Sequence, residues 1–369
     1  MLNIVAAILL FGFIIMFHEL GHFLLAKANG VAVMEFSIGM GPRLASVVWR
    51  GTRYSLKVLP LGGSCAMADE DTDSGDPNGF LSKSVWARIS VIAAGPVFNF
   101  ILAFIFGVII VWYCGYDLPV ISGIMEGYPA EAAGIEEGDI IFSINGKKLM
   151  EYRDLQQYLM LHPEEELTIE CGRLTDEAKA AGVNWYTYSG KEQAKQAERY
   201  TATLATRYSE ENKAYMMGIE HQMEYHKPKG IGHLFSLGWH EVIFQGRSAI
   251  ESFRLLFRGY LGTEDLGGPV RIVAEMGETV GEVRSAGWLS VLLTLMNIGV
   301  VLSATLGTMN LLPIPALDGG RLAFLLVEAV RGRAISQEKE GMIHLAGMVV
   351  LMGLMLLIMF NDIRNLIFR

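Results

Sequence analysis

Four stretches of this 369-residue chain are too long and too apolar to be segments of a water-soluble surface: residues 2–26, 89–113, 288–312 and 342–360. Each is close to the ~20 residues that a helix needs to cross the hydrocarbon of a bilayer. At that depth every backbone polar group must be satisfied within the segment, so these runs are expected as helices. The fourth is an almost unbroken series of Leu, Met, Val and Ile. The first three carry polar residues, which are costly inside a membrane and need a reason to be there. Composition agrees: 19% of residues are charged, against ~25% in a typical soluble domain. A net charge of −9 without any basic stripe excludes a nucleic-acid partner. Cys65, Cys114 and Cys171 are scattered, with no CxxC pair, so neither a disulfide framework nor a thiolate metal site is expected. A Cys114–Cys171 bridge is conceivable only if both face an oxidising side. The N-terminus lacks a basic leader and a small-residue cleavage site, and is read as a retained first span.

Loop charges set an orientation. Lys27, Arg43, Arg50, Arg53, Lys57, Lys83 and Arg88 lie between spans one and two, and Arg321, Arg331, Arg333 and Lys339 between spans three and four. These loops share one side, which the positive-inside rule makes cytoplasmic, with both termini and the long central segment outside. In the first loop, residues 31–36, 44–49 and 54–59 are strand-like runs, with turn chemistry at 50–52 and 39–42. The central segment, residues 115–225, is expected to be a compact α+β domain with an Asn145-Gly146 hairpin turn and a polar insertion at 173–198. Beyond it, Trp239, Ile243, Gly246, Ile250, Phe253 and Phe257 recur at helical steps. They predict an amphipathic helix, lying on the outer membrane surface or packed on the protein's own domain. The division expected is thus 1–114 and 288–369 for the membrane core, 115–225 for the inserted domain, and 226–287 for a linker.

His18-Glu19-Leu20-Gly21-His22 closes the first span. Residues four apart share a helix face, so both imidazoles can ligate one metal, with Glu19 beside them as a general base. A catalytic zinc usually takes a third protein ligand and keeps a position for water. No third donor follows His22 in the spacing of soluble zinc proteases. Span three ends in Asn310-Leu-Leu-Pro-Ile-Pro-Ala-Leu-Asp318-Gly-Gly; Asp318 meets His18 in depth on this topology, or else is a turn-forming Asp before Gly. Asn99 and Pro96 either open span two toward the site, with Asn99 then a substrate-binding residue, or serve helix packing and a kink. The strand-like stretch 54–63, ending at Gly62 and Gly63, is expected to offer backbone groups to an extended substrate.

HExxH in the first span, paired with NxxPxPxLDG at residues 310–319, resembles the site-2 protease family of intramembrane zinc metalloproteases. One domain between spans two and three is similar to its bacterial RseP/RasP branch. Residues 94–99 and 267–270 also resemble family segments. The resemblance implies one Zn2+ per chain held by His18, His22 and Asp318, with Glu19 catalytic and Asn310 binding substrate. It implies a fold of four transmembrane helices with a re-entrant β element and an inserted PDZ domain with a peptide-binding loop at 127–130. It further implies a bacterial inner-membrane location, lipid and single-span membrane proteins as partners, and a size filter against bulky substrates. The alternative is a non-catalytic PDZ-containing membrane scaffold.

Overall fold

The computed structural model describes residues 2–70, 75–186, 196–257 and 268–367. In chain order the elements are α1 (Leu2–Ala28), β1 (Val33–Trp49), β2 (Thr52–Met67), α2 (Val85–Cys114), β3 (Gly123–Ile124), α3 (Pro129–Ala132), β4 (Ile140–Ile144) and β5 (Lys147–Lys148). Then come α4 (Tyr152–Leu161), β6 (Glu166–Leu174), α5 (Asp176–Ala180), β7 (Ala197–Ala205), β8 (Arg207–Ser209), β9 (Ala214–Met216) and β10 (Ile219–Glu220). The remainder is helical: α6 (Gly230–Phe257), α7 (Pro269–Val283), a 3-10 turn at Arg284–Ala286, α8 (Trp288–Leu311), α9 (Asp318–Arg331) and α10 (Gln337–Ile367). Four helices, Ile4–Ala28, Val85–Cys114, Trp288–Leu311 and Gln337–Arg364, are long and apolar enough to cross a membrane, and the chain is a polytopic membrane protein. The fourth begins before its apolar run, because Glu338 and Glu340 sit in its first turn, where acidic side chains suit the helix dipole.

The chain forms two compact units, residues 1–107 with 241–369, and residues 108–240. In the first, α1 packs against β2, α7 and α8. Asp362 of α10 accepts the Gly268 and Arg271 N–H groups at 3.2 and 3.1 Å, so one carboxylate fastens the start of α7 to α10. Arg88 of α2 pairs with Glu328 of α9. The short runs expected in the first loop are two long strands. Residues 39–42, expected as a turn, lie inside β1 at a series of register shifts. There the strand bends, and residues 35–38 take partners on two sides, Ala66 to Gly63 and Arg53 to Leu56. Bulges of this kind increase twist and re-aim side chains. Only the 50–52 turn closes a hairpin, Trp49 facing Thr52.

The second unit has a sheet ordered β5-β4-β6-β7 and a separate β10-β3 pair. Asn145 and Gly146 adopt φ of 46° and 76°, the left-handed pair that a tight hairpin requires. Ile121, Ile141, Ile144, Leu155, Leu167 and Ile169 form the core. Asp154 accepts N–H groups of Met150 and Glu151 at the start of α4. Part of the expected insertion, 187–195, lies outside the described residues. Its described part is packed: Trp185 is buried with Ile140, Leu174 and Ala178 and donates to the Gly138 carbonyl at 2.7 Å. Cys114 is exposed and Cys171 buried in the core, and both are free. The conceivable bridge does not form, because the two sulfurs sit in different environments. The stripe expected on α6 is present, with Trp239, Ile243 and Ile250 exposed.

Leu155 has no solvent exposure. Leu155→Ala is expected to cost about 2–5 kcal/mol by cavity formation. Hydrogen exchange of the β4 and β6 amides measures it, and unchanged protection would refute that packing.

Candidate metal centre

His18 and His22 lie one turn apart on α1 and are both buried. Their Nε2 atoms are 3.2 Å apart. Asp318 opens α9 and places Oδ2 at 3.1 Å from His18 Nε2 and 3.3 Å from His22 Nε2. Three donor atoms therefore form a near-equilateral triangle. A tetrahedral zinc with ligand bonds of ~2.0–2.1 Å has ligand-to-ligand edges of about 3.3 Å. Asp318 Oδ2 is buried without a hydrogen bond. Leaving such a carboxylate bare costs several kcal/mol, roughly, in a low-dielectric interior. Among the described residues this is the group of three donors able to hold a metal ion, and it fits one.

The outer nitrogens support the same reading. His22 Nδ1 donates to the Val91 carbonyl at 2.9 Å, which leaves Nε2 as a lone pair aimed at the triangle. Asn99 Nδ2 lies 3.0 Å from His18 Nδ1, while Asn99 Oδ1 is buried without a partner. That amide has two orientations related by a half-turn. With Oδ1 accepting from Nδ1–H, His18 Nε2 is also a bare lone pair. Asn99 has no solvent exposure. Sequence reasoning put it among substrate-binding residues; its contact is with His18, which makes it a support of the imidazole.

The wall behind the histidines is backbone. A Cβ on Gly95 of α2 would lie 2.3 Å from His22 Nε2 and 2.7 Å from His18 Cε1. A hydrogen atom is therefore the largest group this position admits. On the Asp318 side, a Cβ on Gly319 would meet the Leu312 carbonyl oxygen at 2.1 Å, so the turn after Pro315 closes only with glycine there. Asp318 stands at the N-terminus of α9, where the helix dipole favours its negative charge.

Glu19 lies beside the triangle, and its Oε2 accepts the Cys65 N–H from β2 at 3.0 Å. With the three donors it lines a cavity of about 250 Å³ that also includes Met67, Glu70, Arg321 and His344. Arg321 pairs with Glu70. Cys65 lines the cavity too, and it is its backbone N–H that meets Glu19.

The remaining expected residues are distributed unevenly. Gly63 packs where a Cβ would be 3.3 Å from Glu19 Cγ, and Gly62 stands next to it at φ +81°, so β2 runs beside the carboxylate. Asn310 occupies the last turn of α8, half-buried, and is not among the residues lining the cavity. His344 of α10 also lines the cavity. An ionisable residue opening an otherwise apolar helix was the signal available for it.

Residues 6–354 match the family model described as Peptidase family M50. The chain belongs to that family, the site-2 proteases. It is 30% identical to the zinc metalloprotease RasP of Bacillus licheniformis over 448 aligned positions, covering 99% of each chain. It is 29% identical to the zinc metalloprotease RasP of Geobacillus kaustophilus, covering 98% of each. It is 28% identical to the regulator of sigma-W protease RasP of Bacillus subtilis, covering 99% of each.

Gly95→Ala is expected to displace the His22 ring and strip the site of metal. Elemental analysis of purified protein checks this, and a full equivalent of metal in the variant would contradict the close packing of α2 on the imidazoles.

Proposed function

We propose that the chain is a zinc endopeptidase that hydrolyses peptide bonds within or near the transmembrane segments of single-span proteins. The observation that carries this is the triangle of His18 Nε2, His22 Nε2 and Asp318 Oδ2 beside Glu19, on a helix apolar enough to span a membrane. His18, His22 and Asp318 would hold the ion. A zinc bound there supplies Lewis-acid chemistry, polarising a carbonyl and making water a nucleophile near neutral pH.

Glu19 takes the proton of the attacking water and passes it to the leaving amine. Its hydrogen bond from Cys65 N–H fixes one oxygen, so the other is the one that exchanges protons. Asn99 and the Val91 carbonyl hold the imidazoles in register. A substrate helix hides its peptide bonds in its own ladder, so it must unwind before cleavage. Backbone groups of β2 near Gly62 and Gly63 receive the extended segment by strand addition, and Asn310 contacts it further along.

The β1–β2 hairpin is read as a re-entrant element. Its exposed Leu44, Val47, Val48 and Trp49 support this, since a contiguous apolar patch of this kind marks a membrane or protein contact rather than a water-facing surface. The inserted unit is read as a PDZ-like domain spanning 115–225, with 226–287 as a linker. Its strands, short helices and the 127–130 loop support this, and it acts as a peptide-binding module or a size filter. Arg43, Arg50, Arg53 and Arg321 favour a cytoplasmic active site in a bacterial inner membrane, with the inserted domain and both termini outside. The Bacillus subtilis relative's name, regulator of sigma-W protease, favours regulated proteolysis of an anti-sigma-type substrate.

Glu19→Gln is expected to abolish cleavage of a membrane-spanning reporter while zinc content stays at one per chain; cleavage at the wild-type rate would remove Glu19 as the base. Asp318→Asn is expected to weaken zinc retention by at least ~10-fold, and an unchanged zinc content would remove it from the ligand set.

A further inference from the structure

The segment that presents Asp318 has few hydrogen bonds of its own. Between α8 and α9, Pro313 and Pro315 have no N–H to give. Leu312 N–H bonds to the Met309 carbonyl, Ile314 N–H to Leu312 and Leu317 N–H to Ile314. One donor of the loop goes elsewhere: Ala316 N–H donates to His344 Nδ1 of α10 at 2.9 Å. Ala316 stands at φ +75°, a left-handed conformation that a residue with a Cβ holds only when its surroundings impose it. It lies two positions before Asp318.

α10 also grips this loop by shape. A Cβ on Gly347, one turn after His344, would meet Pro315 Cβ at 2.4 Å. The His344 ring sits 5.7 Å from that of Phe324 on α9. Acceptance at Nδ1 fixes the neutral ring with its proton on Nε2, which lies 4.0 Å from Glu340 Oε1. His344 and Met348 of α10 both line the cavity of the triangle.

We infer that His344 is a positioning residue for the metal centre: its Nδ1 holds Ala316 in the left-handed turn that aims Asp318 at the two histidines. This rests on the metal reading of His18, His22 and Asp318 and adds a support to it from a helix that carries no ligand. The loop then cannot relax without moving Asp318 Oδ2 from its place against His18 and His22.

The test compares two variants of the full-length protein in detergent, His344→Asn and His344→Gln. Asn places its amide oxygen near the position of Nδ1 and preserves the acceptor; the longer Gln places it near Nε2 and misses Ala316. Zinc affinity is read by competition with a chelator, and protection of the Ala316 amide by hydrogen exchange. The expected result is zinc held about 10- to 100-fold more weakly in His344→Gln, with the Ala316 amide exposed, and affinity within about threefold of wild type in His344→Asn. Equal zinc affinity in the two variants, whether high or low, overturns the inference. His22→Ala separates the layers. If it loses zinc while both His344 variants keep it, only the role of His344 falls. If it retains zinc like wild type, the metal reading falls and takes this inference with it.

Discussion

Three electron-rich atoms held within 3.3 Å of one another repel, and the surroundings of low polarity do little to screen them. Much of the membrane unit is arranged to keep them there. α1 supplies two by its own periodicity. α2 presses a bare backbone against the rings at Gly95 and braces them through Val91 and Asn99. The proline-bearing turn after α8 brings the third, and α10 holds that turn. Ser303 of α8 donates to the Asn99 carbonyl at 2.9 Å, which joins the brace of one imidazole to the helix that leads to the carboxylate. The cost of assembling such a cluster is met by packing spread over five helices and a hairpin, which is why its supports lie far apart in sequence.

The placement of Glu19 follows from the same economy of parts. Its neighbour on one side is His18, and on the other side β2 gives it a backbone N–H. The strand that steadies the carboxylate is also the one whose glycines leave room beside it. Glu19 of α1 thus takes both its backbone partner and its open flank from β2, so a shift of the hairpin would alter both together.

The spans and the two histidines were legible in sequence because each depends on local periodicity: about twenty apolar residues for a helix, and four residues between two side chains on one face. The meeting of Asp318 with them depends on tertiary contact; the span topology allowed it by matching their depths, and the motif resemblance assigned it. Asn99 was legible as a polar residue in an apolar helix, a pattern that is the same whether it faces a substrate or an imidazole; its 3.0 Å contact with His18 is tertiary. The bend within β1 was hidden because residues 35–38 satisfy two partners at once, and no alternation of polar and apolar residues encodes a double pairing. Trp185 stood alone in a polar run, yet it fills a small core with Ile140 and Leu174. His344 was legible as an oddity, but its partner is a backbone N–H, which no side-chain pattern records.

Pro96 has a consequence of its own. Lacking an N–H, it cannot donate to the carbonyl of Ile92 in the α2 ladder. A helix otherwise coated in hydrocarbon thereby loses one rung of its ladder in the stretch that backs the two imidazoles. The interruption comes from a missing hydrogen rather than an added hydroxyl or charge, so the outward side chains Val97, Ile101 and Ile105 stay greasy.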